Sequence, residues 1–359
     1  MSELIELIKD FQPIDPARMN SPEGYLMQDN DLRAAANTAL VLGKPLLLTG
    51  EAGVGKSQFA NWLAYELNKQ QPLAWFKFVV KSTTEARDLF YHYDALARFH
   101  EAQVQRAAYT IESASDSKRD TVDQNAATSN EAHRYISYNA LGLAILYSMG
   151  RDEALQRKLV TPDMQGLQQP LPEQPSRSVV LIDEIDKAPR DVPNDILDEI
   201  DNQQFSVREL GDLTAQANPA HRPIIVITSN SERDLPKPFL RRCVYYNMRF
   251  PNELELRDIV ERRVGSRFAD SPGLLGDCLR FFWFLRERAG VRRSPGLAEL
   301  LDWVHELAST GEAVPHGAFQ AVEQMPARVM STLLKDPDDQ ALLRQNWSSW
   351  VEQALQKDQ

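Results

Sequence analysis

Eight consecutive residues constrain this chain more than any others. Gly50-Glu51-Ala52-Gly53-Val54-Gly55-Lys56-Ser57 fit the pattern G-x-x-x-x-G-K-[ST]. The apolar run Leu46-Leu47-Leu48 enters them, and a helical pattern with Phe59, Leu63 and Leu67 four apart leaves them. Strand, glycine loop and helix in that order are the context this pattern needs. Glycines let successive backbone N–H groups turn inward without Cβ clashes, and with a helix N-terminus they make a concave anion site. In such a loop Lys56 reaches the β- and γ-phosphates of a nucleotide, and Ser57 holds Mg²⁺. The candidate phosphate-binding residues are Gly50, Ala52, Gly53, Val54, Gly55, Lys56, Ser57 and Gln58. The plainer reading, a glycine turn before an ordinary helix, gives the Lys-Ser pair no role.

Two further apolar runs end in polar residues. Val179-Val180-Leu181-Ile182 runs into Asp183-Glu184. A continuous apolar run suits a strand covered on both faces, and ligands of parallel sheets lie at the C-terminal strand ends. Asp183 is the candidate Mg²⁺ ligand, mostly through water, and Glu184 the group that orients and polarises an attacking water. Pro223 to Thr228 leads likewise to Ser229-Asn230, and Asn230 could help to position that water. The alternative for Asn230 is a cap or turn. Beyond it lie Arg241 and Arg242. They are either a solvated surface pair or arginines supplied across a subunit boundary to a neighbour's γ-phosphate, a charge that a planar five-donor guanidinium suits.

A chain of 359 residues has room for two domains. The first spans 1–250, with strands near 46–48, 75–80, 179–182 and 223–230, and with insertions at about 81–178 and 209–222. The second spans 251–359, where helices are predicted over 252–265, 274–289, 295–308 and 337–356. Shorter helices are expected over 3–11, 29–42, 94–108, 136–149 and 191–201, an extended lead-in over 12–24, a short strand at 205–207 and a polar surface stretch over 112–131. The formal net charge of −11 argues against a general electrostatic grip on nucleic acid. Cys243 and Cys278 have no paired spacing, so neither a disulfide framework nor a zinc site is expected. No apolar run is long enough to span a bilayer, and the start of the chain lacks a signal-like core. The expectation is a soluble, cytoplasmic protein with reduced thiols.

The ordered set of Gly50 to Ser57, Val179 to Glu184, Thr228-Ser229-Asn230 and Phe239-Leu240-Arg241-Arg242, followed by a helical region, resembles the AAA+ ATPases and within them the MoxR family. The resemblance covers about residues 24–350. It implies an α/β fold: a parallel sheet of order 5-1-4-3-2 flanked by helices, then a C-terminal all-α lid domain. It also implies ATP and Mg²⁺ held at subunit edges of a homo-hexamer. By match Asn230 is the sensor-1 residue, and Arg242, with Arg241 second, is the arginine finger. Gly296 stands where the family often has a sensor-2 arginine, which leaves Arg292 or Arg293 to substitute. The family is similar to chaperones and remodelling motors working with a separate partner that bears a von Willebrand A domain. Tyr91, His92 and Tyr93 lie near where ring ATPases contact substrates, although aromatics at such spacing more often belong to a core. The segment Glu209 to Arg222 could form a substrate-facing hairpin before sensor 1.

Two rivals carry different tests. A nucleic-acid-directed motor, either a helicase loader or a defence-type translocase, would be stimulated by DNA or RNA. A non-hydrolysing nucleotide switch would have no use for Glu184 and the Arg pair. The choice of ATP over GTP rests on the resemblance alone.

Overall fold

The computed structural model describes residues 21–112, 132–164, 166, 167, 169–264, 272–309, 319 and 325–356. The expected helix over 3–11 and nearly all of the polar stretch over 112–131 lie outside the described residues. The chain divides into two compact units.

The sheet-bearing unit comprises Asp31–Thr49 and Leu63–Asn247. Its strands in chain order are β1 Leu46–Thr49, β2 Ala74–Val79, β3 Tyr91–Tyr93, β4 Ile136–Tyr138, β5 Ser178–Asp183, β6 Gln204–Val207, β7 Leu213–Gln216, β8 Ile224–Thr228 and β9 Val244–Asn247. Five of them form one parallel sheet in the order β2-β5-β8-β1-β9. The central strands are buried along their length because both sheet faces are covered: all of β1 and β5, and β8 beyond its first residue. The edge strands β2 and β9 are not, and Lys77 of β2 and Tyr245 of β9 reach solvent. Parallel strands need crossover connections, which the helices supply.

The helices of the chain up to the end of this sheet are α1 Asn30–Leu42, α2 Lys56–Asn68, α3 Ala95–Glu112, α4 Ala140–Met149, α5 Arg151–Gln156, α6 Val192–Asp195, α7 Leu197–Asn202 and α8 Lys237–Arg242. Every residue of α4 is buried, and the helix packs on β2 and β5, with Tyr147 edge-on to Phe76 at 5.0 Å. A helix apolar all round belongs to a core. An antiparallel pair, β3-β4, whose strands are separated in the chain by α3, and an antiparallel hairpin, β6-β7, accompany the sheet. The segment expected to be helical over 136–149 therefore opens with a strand. The segment expected as one helix over 191–201 is two short ones, broken at buried Ile196. The stretch 209–222, expected as an insertion that could form a hairpin, contains β7, which pairs with β6.

The second unit comprises Met1–Asn30, Gly50–Trp62 and Met248–Gln359. Its C-terminal helices are α9 Glu253–Val264, α10 Pro272–Glu287, α11 Leu297–Ser309, α12 Met325–Thr332 and α13 Pro337–Leu355. They enclose an aromatic core in which Phe281 lies 5.1 Å from Phe319 and 5.4 Å from Trp347. α9 opens on a reciprocal cap: Asn252 Oδ1 accepts from Glu255 N, and Glu255 Oε2 accepts from Asn252 N. α13 opens on Asp336, whose carboxylate accepts from Asp338 N and Asp339 N. Among the described residues no helix is long and apolar enough to cross a membrane, and no cluster of side chains has metal-ligand geometry.

Candidate active site

The loop Gly50–Gly55 follows β1 directly in the chain and ends on the first residue of α2, Lys56. Gly50 has φ +138°, and a Cβ there would stand 2.5 Å from Met248 O. Gly55 has φ +97°. Both conformations are open to glycine and strained for other residues, so the loop's shape is written into its glycines. Lys56 is buried, and its Nζ donates to Gly50 O and Glu51 O, each at 2.8 Å. Val54 is buried, Ala52 and Gly53 are exposed, and Ser57 and Gln58 are half-buried in the first turn of α2. The Tyr25 ring edge lies beside Gly55 and tilts against Trp62 at 5.6 Å. A glycine cradle closed to side chains, a helix N-terminus and a buried ammonium fit the phosphates of a nucleotide.

At the sheet, the tips of β5 and β8 bring the predicted acids and Asn230 together. In the register Ile182 stands opposite Ile227, so Asp183 meets Thr228. Thr228 Oγ1 donates to Asp183 Oδ1 at 2.7 Å and accepts from Glu184 N at 2.9 Å. Asp183 is buried, and its Oδ2 pairs with Lys77 Nζ at 2.8 Å. Glu184 is held with φ +62° in the left-handed region, a costly conformation for a residue with a Cβ. Both of its carboxylate oxygens are engaged. Asn230 Nδ2 donates to Oε1 at 3.1 Å, and Lys187 Nζ donates to Oε2 at 2.7 Å. That bond to Glu184 raises the Lys187 ammonium above the usual lysine range. Buried Asp186 accepts from the backbone N–H groups of Asn230 and Glu232 and so fixes the loop after β8. A hard carboxylate at Asp183 suits Mg²⁺.

The two candidate finger arginines differ. Arg242 is half-buried at the end of α8, where its Nε pairs with Asp201 Oδ2 and its Nη1 donates to Pro238 O. Arg241 is exposed and makes no hydrogen bond or ion pair among the described residues. In the second unit Arg293 is exposed; its backbone N donates to Asp339 Oδ2 at 3.1 Å. Arg292 pairs with Asp338. Gly296 is buried, and a Cβ there would lie 3.2 Å from Ala52 O and 2.8 Å from Glu299 Oε2. A side chain at this position would crowd the Ala52 carbonyl and displace the Glu299 carboxylate.

Of the aromatic trio, Tyr91 is buried and its hydroxyl donates to Glu209 Oε2 at 2.9 Å. Burial, ahead of its other influences, raises its pKa. His92 is exposed, and Tyr93 is half-buried against Tyr135. Lys77, Asp186 and Lys187 are residues that the sequence reading missed. The acidic run Asp183-Glu184-Ile185-Asp186-Lys187 was the available signal for the last two. Lys77 has no local signal, because its pairing is set by strand register.

Residues 46–251, more than half of the chain, match the family described as "ATPase family associated with various cellular activities (AAA)". No curated protein matches the chain. Among solved structures the chain is similar to domain III of the Thermotoga maritima replication initiation protein DnaA. The TM-score is 0.40 at 12% identity, over 90% of this chain and 99% of that one. A glycine cradle with a buried lysine, an Asp-Glu strand tip and a family match spanning both lead to one assignment. The chain belongs to the AAA family of ATPases and is an ATP hydrolase.

Proposed function

We propose that this chain is a MoxR-like AAA+ ATPase. It works as a cytoplasmic homo-hexamer that couples ATP hydrolysis to remodelling of a protein client, together with a partner bearing a von Willebrand A domain. The observation that best supports the hydrolytic part of this reading is Glu184, strained at φ +62° and held through both oxygens by Asn230 and Lys187; the MoxR-like assembly and partner rest on the resemblance. Backbone strain concentrates where a side chain must be aimed.

The backbone N–H groups of Gly53, Val54 and Gly55 and the Lys56 ammonium bind the phosphates. Ser57 and Asp183 are the residues that would hold Mg²⁺, which when bound neutralises charge developing on the phosphates. Glu184 orients the attacking water and takes up its proton, and Asn230 fixes the carboxylate for that task. Arg242 of a neighbouring subunit, with Arg241 as the alternative, stabilises charge on the transferred phosphoryl group. Arg293 faces solvent and is the remaining lid candidate for contact with nucleotide.

The deciding experiment is steady-state ATP hydrolysis per chain as a function of protein concentration. A steep rise that saturates is expected for a site shared between subunits. Flat specific activity from a monomer would overturn the ring reading. Stimulation by DNA or RNA instead of by a protein client would assign the nucleic-acid-directed alternative.

A further inference from the structure

Arg286, near the end of α10, is about nine-tenths buried. Three groups hold it. Its Nη2 donates to Glu51 Oε2 at 2.9 Å, its Nη1 donates to Pro295 O at 2.5 Å, and its guanidinium lies 3.7 Å from the centre of the Phe250 ring. Each of these partners bears on the phosphate loop. Glu51 is the loop's second residue, and its backbone O is one of the two carbonyls that accept from Lys56. Pro295 leads into Gly296, which lies against Ala52, and into the N-terminus of α11. Leu297 N and Ala298 N are within 3.8 Å of where a Gly53 Cβ would stand. Phe250 follows closely on Met248, whose carbonyl closes over Gly50.

The C-terminal helices therefore meet the loop at Ala52 and Gly53, where a Cβ at position 296 would stand 3.2 Å from the Ala52 carbonyl oxygen. They grip it one residue earlier, at Glu51, through an arginine. A guanidinium suits this task because its planar fork can serve two acceptors while its face stacks on an aromatic ring.

We propose that Arg286 is a positioning residue for the nucleotide. Through Glu51 it sets the phosphate loop and the carbonyl that steadies Lys56, and it links loop to helices. This rests on the reading of Gly50 to Ser57 as the nucleotide loop.

The test measures the affinity of the full-length protein for a fluorescent ATP analogue with Mg²⁺, alongside thermal melting. The variants are Glu51→Ala, Arg286→Met, their double, and Arg286→Lys. An ion pair with one exposed partner carries a modest effect, so each single change is expected to weaken binding about twofold to fivefold. The double variant should be no weaker than the worse single, and Arg286→Lys should fall between Arg286→Met and wild type. Glu51 is 61% exposed, so Glu51→Ala should melt like wild type, which separates positioning from structural damage. Wild-type affinity in Glu51→Ala, or losses that multiply in the double, would overturn the proposal. If Arg286→Met does not fold, Glu51→Ala with Arg286→Lys completes the cycle. Lys56→Ala serves as the control: undiminished affinity there would mean that the loop itself had been misread, a failure distinct from that of Arg286.

Discussion

Glu184 has one oxygen on an amide and the other on an ammonium, on a backbone that most residues avoid. Such a carboxylate is fixed in place, and its chemistry is testable apart from binding. Glu184→Gln is expected to bind nucleotide like wild type and to hydrolyse it at least about 100-fold more slowly, the usual loss for a general base. Phosphate release set against nucleotide affinity measures both, and an active variant would sink the assignment. Lys77 poses a second question, because its ammonium occupies an oxygen of the proposed metal ligand Asp183. Lys77→Met removes a competing cation, so nucleotide binding should reach half-maximum at a lower Mg²⁺ concentration in a Mg²⁺ titration. Asp183, Glu184 and Asn230 were legible in the sequence because each follows an apolar strand. Lys77 was not, since it meets Asp183 only through the β2-β5 register that sets Val79 opposite Asp183. Arg286 was equally silent: no motif surrounds it, and its partner Glu51 is 235 positions away in the chain.

The elements that the sequence disclosed are those with long-range burial written locally. β5 and β8 read as apolar runs because both faces are covered, and α13 showed its Asp336-Pro337 start. The antiparallel pair β3-β4 did not show, whereas β6 was expected at 205–207 and β7 lies in the stretch read as a possible hairpin; strands of three or four residues are defined by their partners and carry little periodicity of their own. The helix α12, eight residues long, was missed for the same want of length. At α9 the reciprocal cap of Asn252 and Glu255 gives a prediction. Asn252→Ala should cost about 1 kcal/mol of stability, read from thermal or urea unfolding. The guanidinium of Arg249 holds Glu255 below the usual carboxylate range. A depressed folded pKa stabilises fully above the unfolded value of 4.5, and that contribution is lost as pH falls through the folded value. Glu255→Gln should therefore be less stable than wild type at pH 7, with the gap closing in acid. A gap that does not change with pH would argue against the charge.

For the whole molecule, the proposed trans arginine makes activity a property of the assembly. Mixing Glu184→Gln chains with Arg242→Ala chains, each nearly inactive alone, should restore hydrolysis, because some interfaces then combine an intact loop side with an intact arginine side. If the same mixture works with Arg241→Ala and not with Arg242→Ala, the finger is Arg241, whose guanidinium is exposed; Arg242 would first have to leave Asp201. The span between β2 and β5 has a further consequence. From the sequence it reads as an insertion, yet it contains α4, buried at all ten positions against the sheet. Each buried leucine or isoleucine there is worth about 1.5–3 kcal/mol, so a few of them match the net stability of an ordinary domain. What looks like ornament from outside is half of the foundation. A shortened version without α4 should never reach a folded state in which ATP hydrolysis could be measured.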